Sequence, residues 1–215
     1  MPALGKVVLE CVALYVIGRQ TGVLVGSHLA DAGLLSKPAA YNLASLVVTV
    51  IWLGYALYWY RSQGQSLWVW GKPTFSKILF GIALVLVFIV FRSRGGGLTA
   101  ALPRVTRIIQ PTESIALDFC FLGPLQEEVF WRGFVLRRLA TLTGFWPALV
   151  ISSVAFGLVH PPGSQALASG LGAYLGFLFS PEGSGQLIIP VVLHIIQNIT
   201  SIIPSGFFPP SVPPI

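Results

Sequence analysis

Residues 41 to 60 (YNLASLVVTVIWLGYALYWY) carry no charged side chain and end in an aromatic cluster. About 20 mostly apolar residues is the length an α-helix needs to cross the hydrocarbon core of a bilayer, and aromatic rings gather at its two edges. Residues 75 to 91 repeat the pattern almost as clearly. Further apolar runs follow at about 145 to 160, 165 to 180 and 186 to 203. Repeated apolar runs of helix length, rather than alternating stripes around one core, make the bilayer the solvent in which to reason.

Composition agrees. Of 215 residues, 54% are hydrophobic and 9% charged, and the mean hydropathy is +0.80. A soluble domain carries about 25% charged residues, so this chain has too few to cover a water-facing surface. Thirteen Lys and Arg against seven Asp and Glu give a net charge of +6. The basic residues Arg61, Lys72, Lys77, Arg92, Arg94, Arg104 and Arg107 lie mainly between apolar runs. There they meet lipid headgroups, and a nucleic-acid partner is not indicated. Cys11 and Cys120 both fall in apolar segments without paired spacing, which argues against a disulfide framework or a thiolate metal site. The apolar stretch at 6 to 29 shows no small-residue cleavage site and is expected to be a retained first membrane segment.

The expected architecture is an all-α, polytopic transmembrane bundle of about seven helices enclosing an intramembrane catalytic cavity. Residues 1–112 supply generic membrane helices and the glycine-rich loop RSRGGGLTA at 92 to 100, 113–203 the catalytic membrane core, and 204–215 a proline-rich tail. Breaks are expected at Gly144, at Pro161-Pro162 and in the PEGSG string at 181 to 185. Gly172 and Gly176 form a GxxxG pair of the kind that lets helices approach closely. There is no inverted repeat of the transporter type.

Ionisable residues at membrane depth cost about 2.5–3.5 kcal/mol each on insertion scales, so they need partners and mark function. Three segments carry them. In Glu127-Glu128-Val129-Phe130-Trp131-Arg132, Glu128 and Arg132 stand four apart on one helix face with the acid first, the favourable order for an ion pair. Glu127, about 100° round the helix, is left without a local counter-ion. Phe156 and His160 share a face at the end of a helix that Pro161 terminates, and His194 and Asn198 share one in the last apolar run. Each group alone has an ordinary reading, as a solvated acid pair or as interhelical hydrogen bonders. One shared water-accessible cavity accounts for all three together, because separate polar groups facing lipid would cost on the order of 10 kcal/mol.

A glutamate and a histidine can hold and deprotonate one water, and a second histidine with an asparagine can stabilise the oxyanion formed at an amide carbonyl. Together they form the outline of a peptide hydrolase without a covalent intermediate. Histidine and glutamate are also ordinary zinc ligands, although HExxH and HxxEH are absent. Serine catalysis lacks its GxSxG elbow, and Ser152, Ser153 and Ser184 read as packing or turn residues. A non-enzymatic immunity or scaffold protein and a proton-coupled transporter remain open at this level.

EExxxR at Glu127-Glu128-Arg132, FxxxH at Phe156-His160 and HxxxN at His194-Asn198, in that order on successive apolar helices, resemble the CPBP intramembrane proteases. That family includes the CAAX-prenyl endopeptidase of the Rce1 type and the Abi group linked to bacteriocin processing and self-immunity. The resemblance covers about residues 113 to 203. It implies a multi-pass integral membrane endopeptidase of glutamate type, with Glu127 and His160 activating the water and His194 and Asn198 forming the oxyanion hole. Glu128, Arg132 and Phe156 would support the site. It further implies no metal and no other cofactor, a peptide or protein substrate, lipidated in the CAAX case, and the bilayer as constant partner.

Overall fold

The computed structural model describes residues 2–71, 75–76, 79–83 and 118–202. Helix α1 is Pro2–Asp31 and α2 is Lys37–Ser62. Residues 79–83 are helical and are labelled α3. The loop expected at 92 to 100 and the tail from 204 lie outside the described residues, as does most of the expected span at 75 to 91.

Four helical stretches follow: Asp118–Leu122, Gly123–Glu127, Glu128–Leu136 and Arg137–Thr143. The backbone at their junctions stays right-handed helical, for example φ −68° and ψ −44° at Glu127 and φ −56° and ψ −49° at Leu136. They are therefore one helix, α4 (118–143), whose first and third stretches have the wider π turn. Proline supplies no N–H to the helical ladder, and Pro124 stands two residues after the first wide stretch. In the second, the Gly133 carbonyl accepts a hydrogen bond from the Tyr60 hydroxyl at 2.7 Å. A side chain that takes a backbone acceptor in this way is a recognised cause of helix irregularity.

Gly144, at φ +81°, ends α4 and admits α5, Phe145–Leu158. α6 is Gln165–Phe179 and α7 is Ile188–Ile202. The chain turns through a positive-φ glycine before each of them, Gly163 beside Pro161-Pro162 and Gly185 in the PEGSG string. An antiparallel bridge joins Val69 to Gln186, and the amides of Trp70 and Leu187 donate to the carbonyls of Gly185 and Trp68 at 2.9 and 3.0 Å. This clasps the loop after α2 to the turn before α7.

Two of these helices, α1 and α2, are long and apolar enough to cross a membrane by length and composition. α5, α6 and α7 have 14, 15 and 15 residues, which at about 1.5 Å per residue fall short of a hydrocarbon core of about 30 Å. They lie against α4 and one another, so the short helices build the interior of the site.

α1 and α2 pack extensively against each other. Gly18, Gly22 and Gly26 make this possible. A Cβ at Gly22 would lie 2.5 Å from the Ala44 carbonyl oxygen, and one at Gly26 2.7 Å from that of Ala40. At Gly18 the missing side chain makes room for the Trp52 indole, whose Nε1 donates to the Leu14 carbonyl at 3.0 Å. Trp52 then stacks on Phe130 of α4 at 4.3 Å between ring centroids, with Tyr15 5.5 Å from Trp52. Gly172 and Gly176 act likewise on α6, where a Cβ would meet Phe156 at 3.1 Å and Leu149 at 2.6 Å. The side chain of Gly22→Leu meets a backbone atom rather than a movable side chain, so it should cost at least the 1–3 kcal/mol or so typical of overpacking. The check is a lower melting temperature in detergent than that of Gly54→Leu, a control at a glycine whose Cβ would meet no atom within 4 Å.

Candidate active site

Buried charge organises the region where α4, α5 and α7 meet. Glu128 is fully buried, and its Oε1 accepts from Arg132 Nη1 at 3.0 Å and from His194 Nδ1 at 2.8 Å. The first contact follows from helix geometry, since the two residues stand four apart on α4. The second joins residues 66 positions apart and exists only in the folded chain. Glu128 Oε2 and Arg132 Nη2 are both buried and have no hydrogen-bond partner among the described residues, so the pair is single-pronged rather than bidentate.

Glu127 differs from its neighbour. Its side chain is 22% exposed, and its Oε2 stands 3.9 Å from His194 Nε2. His194 thus presents one ring nitrogen to each glutamate. Because Glu128 is paired with Arg132 it offers an acceptor, so the ring donates from Nδ1 and turns Nε2 toward Glu127. At 3.9 Å the nitrogen and the carboxylate oxygen are too far apart for a direct hydrogen bond and near enough for one water to touch both.

Phe156 is the wall shared by the three motifs. The Arg132 guanidinium lies 4.2 Å above its ring, a cation–π contact that compensates a charge removed from water. The His160 ring packs at 4.5 Å and the His194 ring at 6.4 Å, both edge-on. Gly172 keeps the far side open, for a Cβ there would lie 3.1 Å from the Phe156 ring and 3.4 Å from Arg132 Nη2. His160 caps the end of α5, its Nδ1 2.7 Å from the Phe156 carbonyl, and Gln165 donates to the His160 carbonyl at 3.3 Å. Its ring reaches the constellation through Phe156 rather than by a hydrogen bond to either glutamate among the described residues. Asn198, one turn beyond His194, donates from Nδ2 to the Phe119 carbonyl at 2.8 Å. An amide nitrogen carries two hydrogens, so that bond does not use up its donor capacity.

The fold also recruits polar residues that the three motifs do not include. Gln126 Nε2 donates to Ser45 Oγ at 3.1 Å, which ties the residue before Glu127 to α2. Asp118 is buried at the start of α4. Polar residues at membrane depth were the available signal, although Ser45 among apolar neighbours is too common a sight to stand out. Ser152 and Ser153 both donate to the Leu149 carbonyl, and Ser184 donates to that of Leu178. Among the described residues no three His, Cys, Asp or Glu side chains group closely enough to hold a metal ion.

The unequal burial of the glutamates has a measurable consequence. Arg132→Met strands the Glu128 carboxylate in a buried site and should destabilise the fold by about 3–5 kcal/mol, with Glu128→Gln recovering part of the loss in the double variant. Glu127→Gln, at a partly exposed position with no ion pair to a Lys or Arg among the described residues, should leave the melting temperature within a degree or two, a shift of under about 0.5 kcal/mol. Thermal unfolding of these three variants and the wild type in one detergent gives the comparison.

Residues 111–200 match the family model described as type II CAAX prenyl endopeptidase Rce1-like. A Bacillus subtilis (strain 168) protein named "Putative membrane peptidase YdiL" is 29% identical over 141 residues, covering 64% of this chain and 55% of that protein. The chain therefore spans about half the length of this curated relative. No solved structure matches. The matched stretch contains EExxxR, FxxxH and HxxxN in order, and through it this chain is similar to the Rce1-like type II CAAX prenyl endopeptidases.

Proposed function

We propose that the chain is a multi-pass integral membrane endopeptidase of CAAX-protease type that cleaves a peptide bond with a glutamate-activated water. Glu127 and His160 hold the water. Glu127 takes a proton from it as the oxygen attacks the scissile carbonyl, then returns that proton to the amine as the C–N bond breaks. His194 Nε2 and the Asn198 amide donate to the oxyanion that forms in between. In that role Nε2 carries a hydrogen while Nδ1 donates to Glu128, which serves as counter-charge to the ring. Glu128, Arg132 and Phe156 hold His194 in place. The substrate is a peptide or protein, and by family analogy one bearing a lipid.

The observation that carries this reading is the 3.9 Å approach of His194 Nε2 to Glu127 Oε2, with Glu128 fixing the opposite side of the ring. A base and an oxyanion donor must flank one carbonyl, and here they face each other over the distance of a single water. The partial exposure of Glu127, in a chain whose Glu128 is fully buried, gives water a way in.

Two experiments test it. The purified protein in liposomes is incubated with a peptide library and the products are read by mass spectrometry. Glu127→Gln should lose about 10²–10⁴-fold in turnover with its fold intact, as general-base loss does. A Glu127→Gln enzyme as active as wild type would end the assignment, and a wild type that cleaves nothing would favour an immunity or scaffold role. Dialysis against a strong chelator should leave turnover unchanged; loss that stoichiometric zinc restores would replace the glutamate mechanism with a metalloprotease.

A further inference from the structure

At the end of the bundle where α2 gives way to its loop, a second buried charge is built in without a carboxylate. Arg137 of α4 is 7% exposed. Its Nη1 donates to the Ser66 and Leu67 carbonyls at 2.7 and 3.4 Å, and Nη2 to Gln65 Oε1 at 3.3 Å. The guanidinium also lies 4.1 Å above the Tyr60 ring, with Trp70 and Phe179 at 5.8 and 5.9 Å. All these partners are neutral. None of the ion pairs among the described residues includes Arg137, whereas Arg138 beside it takes Glu10 at 2.6 Å. A guanidinium withdrawn from water costs several kcal/mol unless opposite charge answers it, and carbonyls and ring faces answer only part.

A cavity of about 490 Å³ opens against this residue, walled by Trp59, Tyr60 and Trp70 and rimmed by Gln65, Ser66 and Thr141. Its depth in the membrane can be read from its neighbours. Trp70 packs on Phe145 at 5.9 Å, Phe145 on Trp146 at 5.0 Å, and Trp146 on Phe177 at 6.3 Å, with Trp68 and Trp146 exposed. Tryptophans collected at one end of a bundle mark the headgroup level of the bilayer. Arg61, exposed in the last turn of α2, adds positive charge at the same end.

We propose that this cavity binds the phosphate-bearing headgroup of an acidic phospholipid, with Arg137 as its counter-charge and the aromatic walls against its glycerol. A planar guanidinium suits phosphate oxygens, which it meets by paired hydrogen bonds. The cavity supplies a cation that has no anion among the described residues, at the depth where lipid phosphates lie, with apolar walls that a free phosphate would leave unused. The site is separate from the peptidase constellation and stands whether or not that reading does.

The test uses the full chain in detergent, titrated with phosphatidylglycerol, phosphatidylcholine or inorganic phosphate and followed by native mass spectrometry and melting temperature. Wild type should hold phosphatidylglycerol about tenfold more tightly than phosphatidylcholine, the factor worth one hydrogen bond to a charged group. Arg137→Gln should abolish the preference. Because Arg137 also anchors the loop, Thr141→Trp serves as the second variant: it narrows the rim from an exposed position and leaves the guanidinium's contacts in place. Its melting temperature without lipid should match wild type while its preference is lost. Equal affinity of wild type for the two lipids overturns the proposal, as does a Thr141→Trp protein that keeps the preference. A melting shift from inorganic phosphate as large as that from phosphatidylglycerol would overturn the lipid in favour of a soluble phosphate ligand.

Discussion

A carboxylate with no exposed surface must find its compensation inside the protein, and Glu128 finds it from two helices at once. Arg132 supplies charge from the next turn of α4, and His194 supplies a hydrogen bond from α7. Removing either leaves a charge or an acceptor in a medium that cannot solvate it. The position of α7 against the first half of α4 is therefore tied at one oxygen atom of Glu128, with the Asn198–Phe119 bond as a second tie one turn further on. Everything proposed for the site depends on the first tie, because it determines which way the His194 ring faces and so brings its second nitrogen to Glu127.

The surrounding aromatics make such a charge tolerable. Phe156 accepts the Arg132 guanidinium on its face and two imidazoles at its edge, and the Trp52–Phe130 stack closes the region from the side of α1 and α2. Small residues set how close these layers come. Gly18 admits the Trp52 indole and Gly172 the Phe156 ring, so each of these two flat side chains has a glycine opposite it. Packing of this kind suits helices in lipid, where van der Waals fit and hydrogen bonds replace a hydrophobic driving force between helices.

The two arginines of α4 illustrate two answers to one problem. Arg132 is answered by a carboxylate on its own helix, and its charge becomes part of the candidate catalytic network. Arg137, a few residues further along, is answered by carbonyls and ring faces beside an open cavity. The first arrangement places the opposite charge within the protein, and the second leaves a positive charge beside open space.

Much of this was legible in the residues themselves. The apolar runs at 41 to 60, 145 to 160, 165 to 180 and 186 to 203 correspond to α2, α5, α6 and α7, because hydrophobic length and helix-breaking Gly and Pro are local properties. The Glu128–Arg132 pair was equally readable, since four residues along a helix is a fixed geometry. The GxxxGxxxG line at Gly18, Gly22 and Gly26 is just as local a signal and marks the α1–α2 contact. Tertiary structure alone decided the rest: that His194 faces both glutamates, that His160 meets them through Phe156, that Asn198 bonds to Phe119, and that Ser45 partners Gln126. Each of these joins side chains from different helices, and which residues meet across helices is settled by the packing of whole surfaces, for which no spacing along the chain is a measure.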